Sequence, residues 1–128
     1  MNLIKNTLVV LAICGGLVLA VSEASAKCTV TLKFKNNDNH KITMLGNKSK
    51  ARVNGGTWSK MNFNNVVIKP GEVGSTSWTT KMSCAGNAKR DMRFKYQDGG
   101  DSNIYEKLVD NVNIEDGLIY GPYKVKTH

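Results

Sequence analysis

Two cysteines set the terms on which this chain can fold. Cys28 opens the run Cys28-Thr-Val-Thr-Leu-Lys-Phe-Lys, in which Cys28, Val30, Leu32 and Phe34 alternate with Thr29, Thr31, Lys33 and Lys35. A period of two over eight residues is the signature of a strand with one buried face. Cys84 closes a second such run, in which Thr76, Trp78, Thr80, Met82 and Cys84 share parity. Each cysteine therefore faces the side of its strand's large apolar residues, and a bond between them fits inside a core. The two lie 56 residues apart. Closing a loop of that size is worth roughly 4 kcal/mol, a large share of the 5–15 kcal/mol or so that holds a small domain together.

A disulfide needs an oxidising compartment, and the N-terminus offers a route to one. Lys5 precedes an almost wholly apolar stretch from Leu8 to Val21, and Ala24-Ser25-Ala26 places small residues at alternate positions. Residues 1–26 are expected to be a cleaved export signal peptide, leaving 27–128 as a single basic β-rich domain, secreted or periplasmic, with no transmembrane segment. Cys14 falls inside the leader behind Ile13, where a lipid-attachment signal resembling the bacterial lipobox wants a small residue. Cys28 and Cys84 remain as an even pair, without the C-x-x-C spacing of a metal or redox site.

Alternation continues beyond the first strand. Asn36-Asn37-Asp38-Asn39 is a turn that bonds its own backbone, and His40 to Leu45 resumes an extended pattern, so a hairpin is expected. Gly46 to Gly56 is polar and glycine-bounded and reads as a loop with at most one short edge strand. Trp58 to Phe63 reads as extended, Val66 to Ile68 as a short buried run, and Lys69-Pro70-Gly71 as a turn. Met92, Phe94 and Tyr96 alternate with Asp91, Arg93, Lys95 and Gln97. Three short apolar runs follow: Ile104 to Val109, which could also form two helical turns, then Val112 to Ile114 and Leu118 to Val125. The expected fold is all-β, a small antiparallel sandwich or barrel of about eight short strands with one internal disulfide.

The chain carries 18 Lys and Arg against 10 Asp and Glu, a net charge of +8, and the excess is unevenly placed. Residues 27–62 hold 8 bases and 1 acid, residues 63–97 hold 6 and 2, and residues 98–128 hold 3 and 6. The first two thirds should therefore attract anions, while the last third is acidic. Lys33 with Lys35, Arg93 with Lys95, and Lys124 with Lys126 are pairs two residues apart, on the faces opposite their core residues. Like charges on neighbouring strands repel, so such ladders call for an anionic partner, whereas the bland alternative is a solvated face that blocks edge pairing. Lys48-Ser49-Lys50-Ala51-Arg52 adds three bases in five residues beside glycines, a composition suited to gripping phosphate. The candidate anion-binding residues are thus Lys33, Lys35, Lys48, Lys50, Arg52, Arg93 and Lys95.

Catalytic chemistry is poorly supplied. His40 and His128 are the only histidines, and no catalytic residue, cofactor or metal is assigned. Asp98-Gly-Gly-Asp-Ser-Asn gathers oxygen ligands but lacks the spacing and closing Glu of an EF-hand. Asp98 with Asp101, and Glu115 with Asp116, sit in turn-like strings where Asp commonly bonds the backbone. Nucleic acid is disfavoured, because Phe94 and Tyr96 point away from Arg93 and Lys95 and cannot stack bases on the surface that would hold phosphates. Trp78 has core parity, whereas Trp58 beside the basic segment suits a binding rim.

The leader, single disulfide and alternating strands resemble many small secreted β-sandwich proteins, including lipid-binding cytolysins and envelope inhibitors. Three functions fit: a non-enzymatic module whose basic face binds anionic lipid or glycan head groups peripherally, with phosphoinositides, anionic phospholipid or lipopolysaccharide foremost; an inhibitor or immunity factor for an acidic protein; and a cationic hydrolase using His40. The first is the expected one.

Overall fold

The computed structural model describes residues 27–84 and 89–127. The expected leader, residues 85–88, where a turn is expected, and His128 lie outside the described residues. Eight strands follow one another, with no helix among the described residues: β1 Lys27–Asn36, β2 Ile42–Val53, β3 Ser59–Lys60, β4 Val66–Ile68, β5 Val73–Ser83, β6 Lys89–Asp98, β7 Ile104–Asn113 and β8 Ile119–Val125. They form two sheets. The first runs β5-β1-β8; the second runs β3-β2-β6-β7, with β4 paired to the other half of the edge of β2 that β3 occupies. All pairings are antiparallel except β1 with β8.

The sheets close on one another through the residues that alternation selected. Val30, Leu32, Phe34, Trp78 and Val125 from the first sheet meet Ile42, Met44, Ile68, Met92, Phe94 and Tyr96 from the second. Phe34 and Phe94 touch edge to face with centroids 4.9 Å apart, and Tyr123 stacks on Phe94 at 5.5 Å. Such aromatic pairs add about 0.5–1.5 kcal/mol each beyond the area they bury. Two separate sheets make this a sandwich. Cys28 and Cys84 are joined, with Cα atoms 5.9 Å apart, tying the start of β1 to the end of its neighbour β5.

Gly46 to Gly56 departs from its expected loop. β2 runs through it to Val53 by way of a bulge: Leu45 pairs with Lys95 but Lys50 pairs with Arg93, so β2 spends three more residues than β6 over that interval. The Ser49 hydroxyl stabilises the bulge by donating to the Leu45 carbonyl and accepting from the Lys95 N–H. Gly46 is required there, because a Cβ at this position would stand 1.6 Å from the Phe63 carbonyl oxygen. The 104–114 region also differs from its reading as two runs or a short helix: it is one long edge strand, β7. The Lys69-Pro70-Gly71 turn forms as expected, with Glu72 N–H donating to the Lys69 carbonyl and Gly71 at φ 79°, the positive φ that Gly supplies at the third position of a type II turn.

Candidate functional site

Register decides which charges share a surface. In the second sheet Lys50 stands directly opposite Lys60 on one side and Arg93 on the other, and Arg93 in turn faces Leu108. Ala51 and Met92, the next pair along, are buried, so the Lys60–Lys50–Arg93–Leu108 row occupies the outer face. Three cations on three consecutive strands face solvent. Among the described residues, none of the three has a carboxylate within ion-pair distance.

Two acids on this face are already engaged. Asp91, opposite Arg52, accepts from Arg52 Nε at 2.9 Å, from Asn54 Nδ2 at 2.9 Å and from the Asn111 N–H at 3.1 Å. The Arg52 bond first, then the Asn111 N–H, holds its carboxyl below the usual carboxylate range. Glu106 pairs with Lys95 at 2.9 Å. Exposed Asp110, further along β7, makes no ion pair among the described residues.

Trp58 covers the junction. The guanidinium groups of Arg52 and Arg93, diagonal neighbours on the outer face, lie 4.6 and 4.3 Å from its ring centroid. Each contact is worth about 0.5–1 kcal/mol at an exposed site, and together they hold both cations in place ahead of any ligand. Around this centre the same face carries exposed apolar side chains. Leu108 is 56% exposed, and a second row, Val67–Thr43–Gln97–Ile104, places Val67 at 61% and Ile104 at 45%.

Seven residues were expected to bind anions, and the sandwich divides them. Lys50, Arg52, Arg93 and Lys95 share the outer face of the second sheet, and Lys48 projects from the bulge in β2, exposed. Lys33 and Lys35 lie on the outer face of the first sheet, on the opposite side of the molecule, where Lys35 stands beside Lys124 of β8. The ladders are therefore two sites rather than one. Lys60, Leu108 and Ile104 escaped sequence reading, because only the pairing of strands distant in sequence brings them to this face; Val67, expected in a buried run, is instead exposed on the outer face opposite Thr43.

A second polar cluster lies where the β1–β2 and β6–β7 turns meet the C-terminal segment. Asp38, His40 and Asp98 bring their ligand atoms within 4.8 Å of one another. The Thr127 hydroxyl contacts both carboxylates, and His40 Nδ1 stands 3.8 Å from Asp98. The Gly100 N–H, foremost, with help from Thr127 and His40, holds the Asp98 carboxyl below its ordinary range. The turn aspartates bond the backbone as expected, Asp98 accepting from Gly100 and Asp101 from Asn103.

In comparisons with protein-family models, with characterised proteins and with solved structures, nothing matches this chain. Its function has to be argued from the site alone.

Proposed function

We propose that this protein is an exported, non-enzymatic module that binds anionic lipid surfaces peripherally through the outer face of its second sheet. The observation that carries the reading is the row Lys60–Lys50–Arg93, three unmatched cations continued on the same face by exposed Leu108 and flanked by Trp58. A solvated face kept positive only for solubility gains nothing from placing like charges directly opposite one another, which costs stability. A lipid surface rewards both halves of the arrangement. Phosphates attract the cations at about 1 kcal/mol per basic side chain, and the indole and the aliphatic side chains suit the boundary between head groups and acyl chains. Among the described residues no helix is long and apolar enough to cross a membrane.

The test is co-sedimentation with neutral vesicles and with vesicles containing anionic lipid, at low and at near-physiological salt. Replacing Lys50, Lys60 and Arg93 together by Gln should weaken binding to anionic vesicles on the order of a hundredfold at low salt, the product of three such contacts. Lys33→Gln with Lys35→Gln, on the opposite sheet, should cost far less. Equal binding to neutral and anionic vesicles, or an unaffected triple variant, would refute the reading and leave an acidic protein partner ahead.

A further inference from the structure

Arg90 is a buried cation with nothing of opposite charge beside it among the described residues. It begins the inward series Arg90, Met92, Phe94, Tyr96 along β6, and it is only 4% exposed. One guanidinium nitrogen, Nη2, donates to the Ser83 carbonyl at 3.2 Å; the other, Nη1, is buried and has no acceptor among the described residues. Burial depresses its pKa, yet a guanidinium in a protein stays charged. A buried charge of this kind is expensive unless paired, and Asp91, the next residue, points to the other face and is taken by Arg52.

Arg90 is also one of the residues that line a small cavity. The space, about 40 Å3, opens where the end of β2 and β3 approach the far end of β5, and Arg90, Arg52, Lys81, Thr57, Ser59 and Trp78 contribute to its walls. A water needs about 10–15 Å3 by the same measure, so the cavity admits a group the size of a few waters. Of the nine lining residues three are cationic, two carry hydroxyls, four are apolar and none is a carboxylate. Arg52 is also one of the two cations held against Trp58, so the cavity adjoins the proposed binding face.

We infer that this cavity is a receptor for a compact tetrahedral oxyanion, a phosphate monoester or sulfate group, with Arg90 as its buried anchor and Arg52, Lys81, Thr57 and Ser59 as the residues that complete it. A terminal phosphate can enter such a space, whereas a diester with substituents on both sides cannot. The inference rests on the reading above only for the claim that the oxyanion is carried by a lipid; a free or glycan-borne oxyanion would satisfy the same donors.

The test begins with thermal unfolding of the full mature protein in inorganic phosphate or sulfate against chloride at matched ionic strength. Both oxyanions should raise Tm by several degrees at concentrations well above Kd, and chloride should not. Arg90→Met should abolish that shift while unfolding in chloride at the wild-type temperature or higher, because it removes an unpaired buried charge. Should Arg90→Met fail to fold, titration of Trp58→Phe with phosphate keeps the inference testable, since Trp78, then the sole indole, lines the cavity and its emission should move saturably. Absence of any oxyanion effect beyond that of chloride, or an undiminished shift in folded Arg90→Met, would overturn the inference. Vesicles then identify the carrier. If vesicles with a phosphomonoester head group outbind diester vesicles of equal charge, and Arg90→Met erases the excess, the ligand is lipid-borne. If the phosphate shift depends on Arg90 but no vesicle is bound, the receptor stands and the lipid reading falls. If vesicles are bound and phosphate does nothing, the reverse holds.

Discussion

Asp91 follows Arg90 in the chain, yet the pleat of β6 sends their side chains to opposite faces of the sheet, and among the described residues only Asp91 meets an opposite charge. It is 5% exposed and ringed by Arg52, Asn54 and the Asn111 N–H, while Arg90 looks into the sandwich with one nitrogen unmatched. The acid that would ordinarily neutralise a buried arginine has been spent ordering the outer face.

That assignment has a pH signature. The folded pKa of Asp91 lies below its ordinary value, so its bonds stabilise the fold fully above the unfolded carboxylate pKa of about 3.9. The stabilisation is lost as pH falls from there through the lower folded value. Urea unfolding across the acid range should show stability falling below about pH 4, and Asp91→Asn should flatten that fall. Asp98, depressed in the same direction, should account for part of the slope that remains. A wild-type slope unchanged in Asp91→Asn would show that the Arg52 contact contributes nothing.

The disulfide offers a larger effect. Cys28 and Cys84 join neighbouring strands of one sheet and close a long loop, so Cys28→Ala with Cys84→Ala should lower the unfolding free energy by about 2–4 kcal/mol. Denaturant titration measures it, and free-thiol counting on the purified protein checks that the bond forms.

The strands that alternate cleanly were legible in the sequence, as were the cysteine pairing and the turn at Pro70. β1, β6 and β5 as far as Thr80 could be read because each buries one face and solvates the other, so burial follows a period of two; past Thr80 a bulge against β1 breaks it, and Met82, expected on the core face, is 67% exposed. β2 could not be followed past Leu45, because its bulge takes three residues out of the ladder and breaks the period just where Gly46 suggests a loop. β7 was ambiguous for a different reason: as an edge strand it exposes Ile104 and Leu108 while half-burying Tyr105 and Lys107, so apolar and polar side chains fall on both faces. Arg90 left a signal that could have been used. It shares the apolar parity of Met92 and Phe94, and a base on the core face of a strand asks for an anion.

Gly46 tests the bulge directly. Any side chain there meets the Phe63 carbonyl, which is backbone and cannot swing aside. Gly46→Ala should cost about 3 kcal/mol or more, at or beyond the upper end of what overpacking usually does. Gly71→Ala, at a positive φ with open space around it, should cost less. Equal losses in chemical denaturation would mean that the close approach of Gly46 to the 61–65 segment does not constrain the fold.

Lys50 brings stability and binding into opposition. It stands between Lys60 and Arg93, directly opposite each, and no carboxylate among the described residues pairs with any of the three. Like charges placed opposite one another across strands each cost a few tenths of a kcal/mol up to about 1. Lys50→Gln should therefore stabilise the isolated protein by about 0.5 kcal/mol at low salt. The gain should shrink as added salt screens the row, since the Debye length falls from about 30 Å at 0.01 M to about 8 Å at 0.15 M. If the row exists to meet clustered phosphate, the same substitution should weaken binding to anionic vesicles by about fivefold, the share of one basic side chain near a charged bilayer. Thermal unfolding and vesicle co-sedimentation on the one variant separate the alternatives. A stabilised variant that binds less well marks a repulsion retained for a ligand, whereas a stabilised variant that binds as well as wild type leaves the row without a function at the membrane.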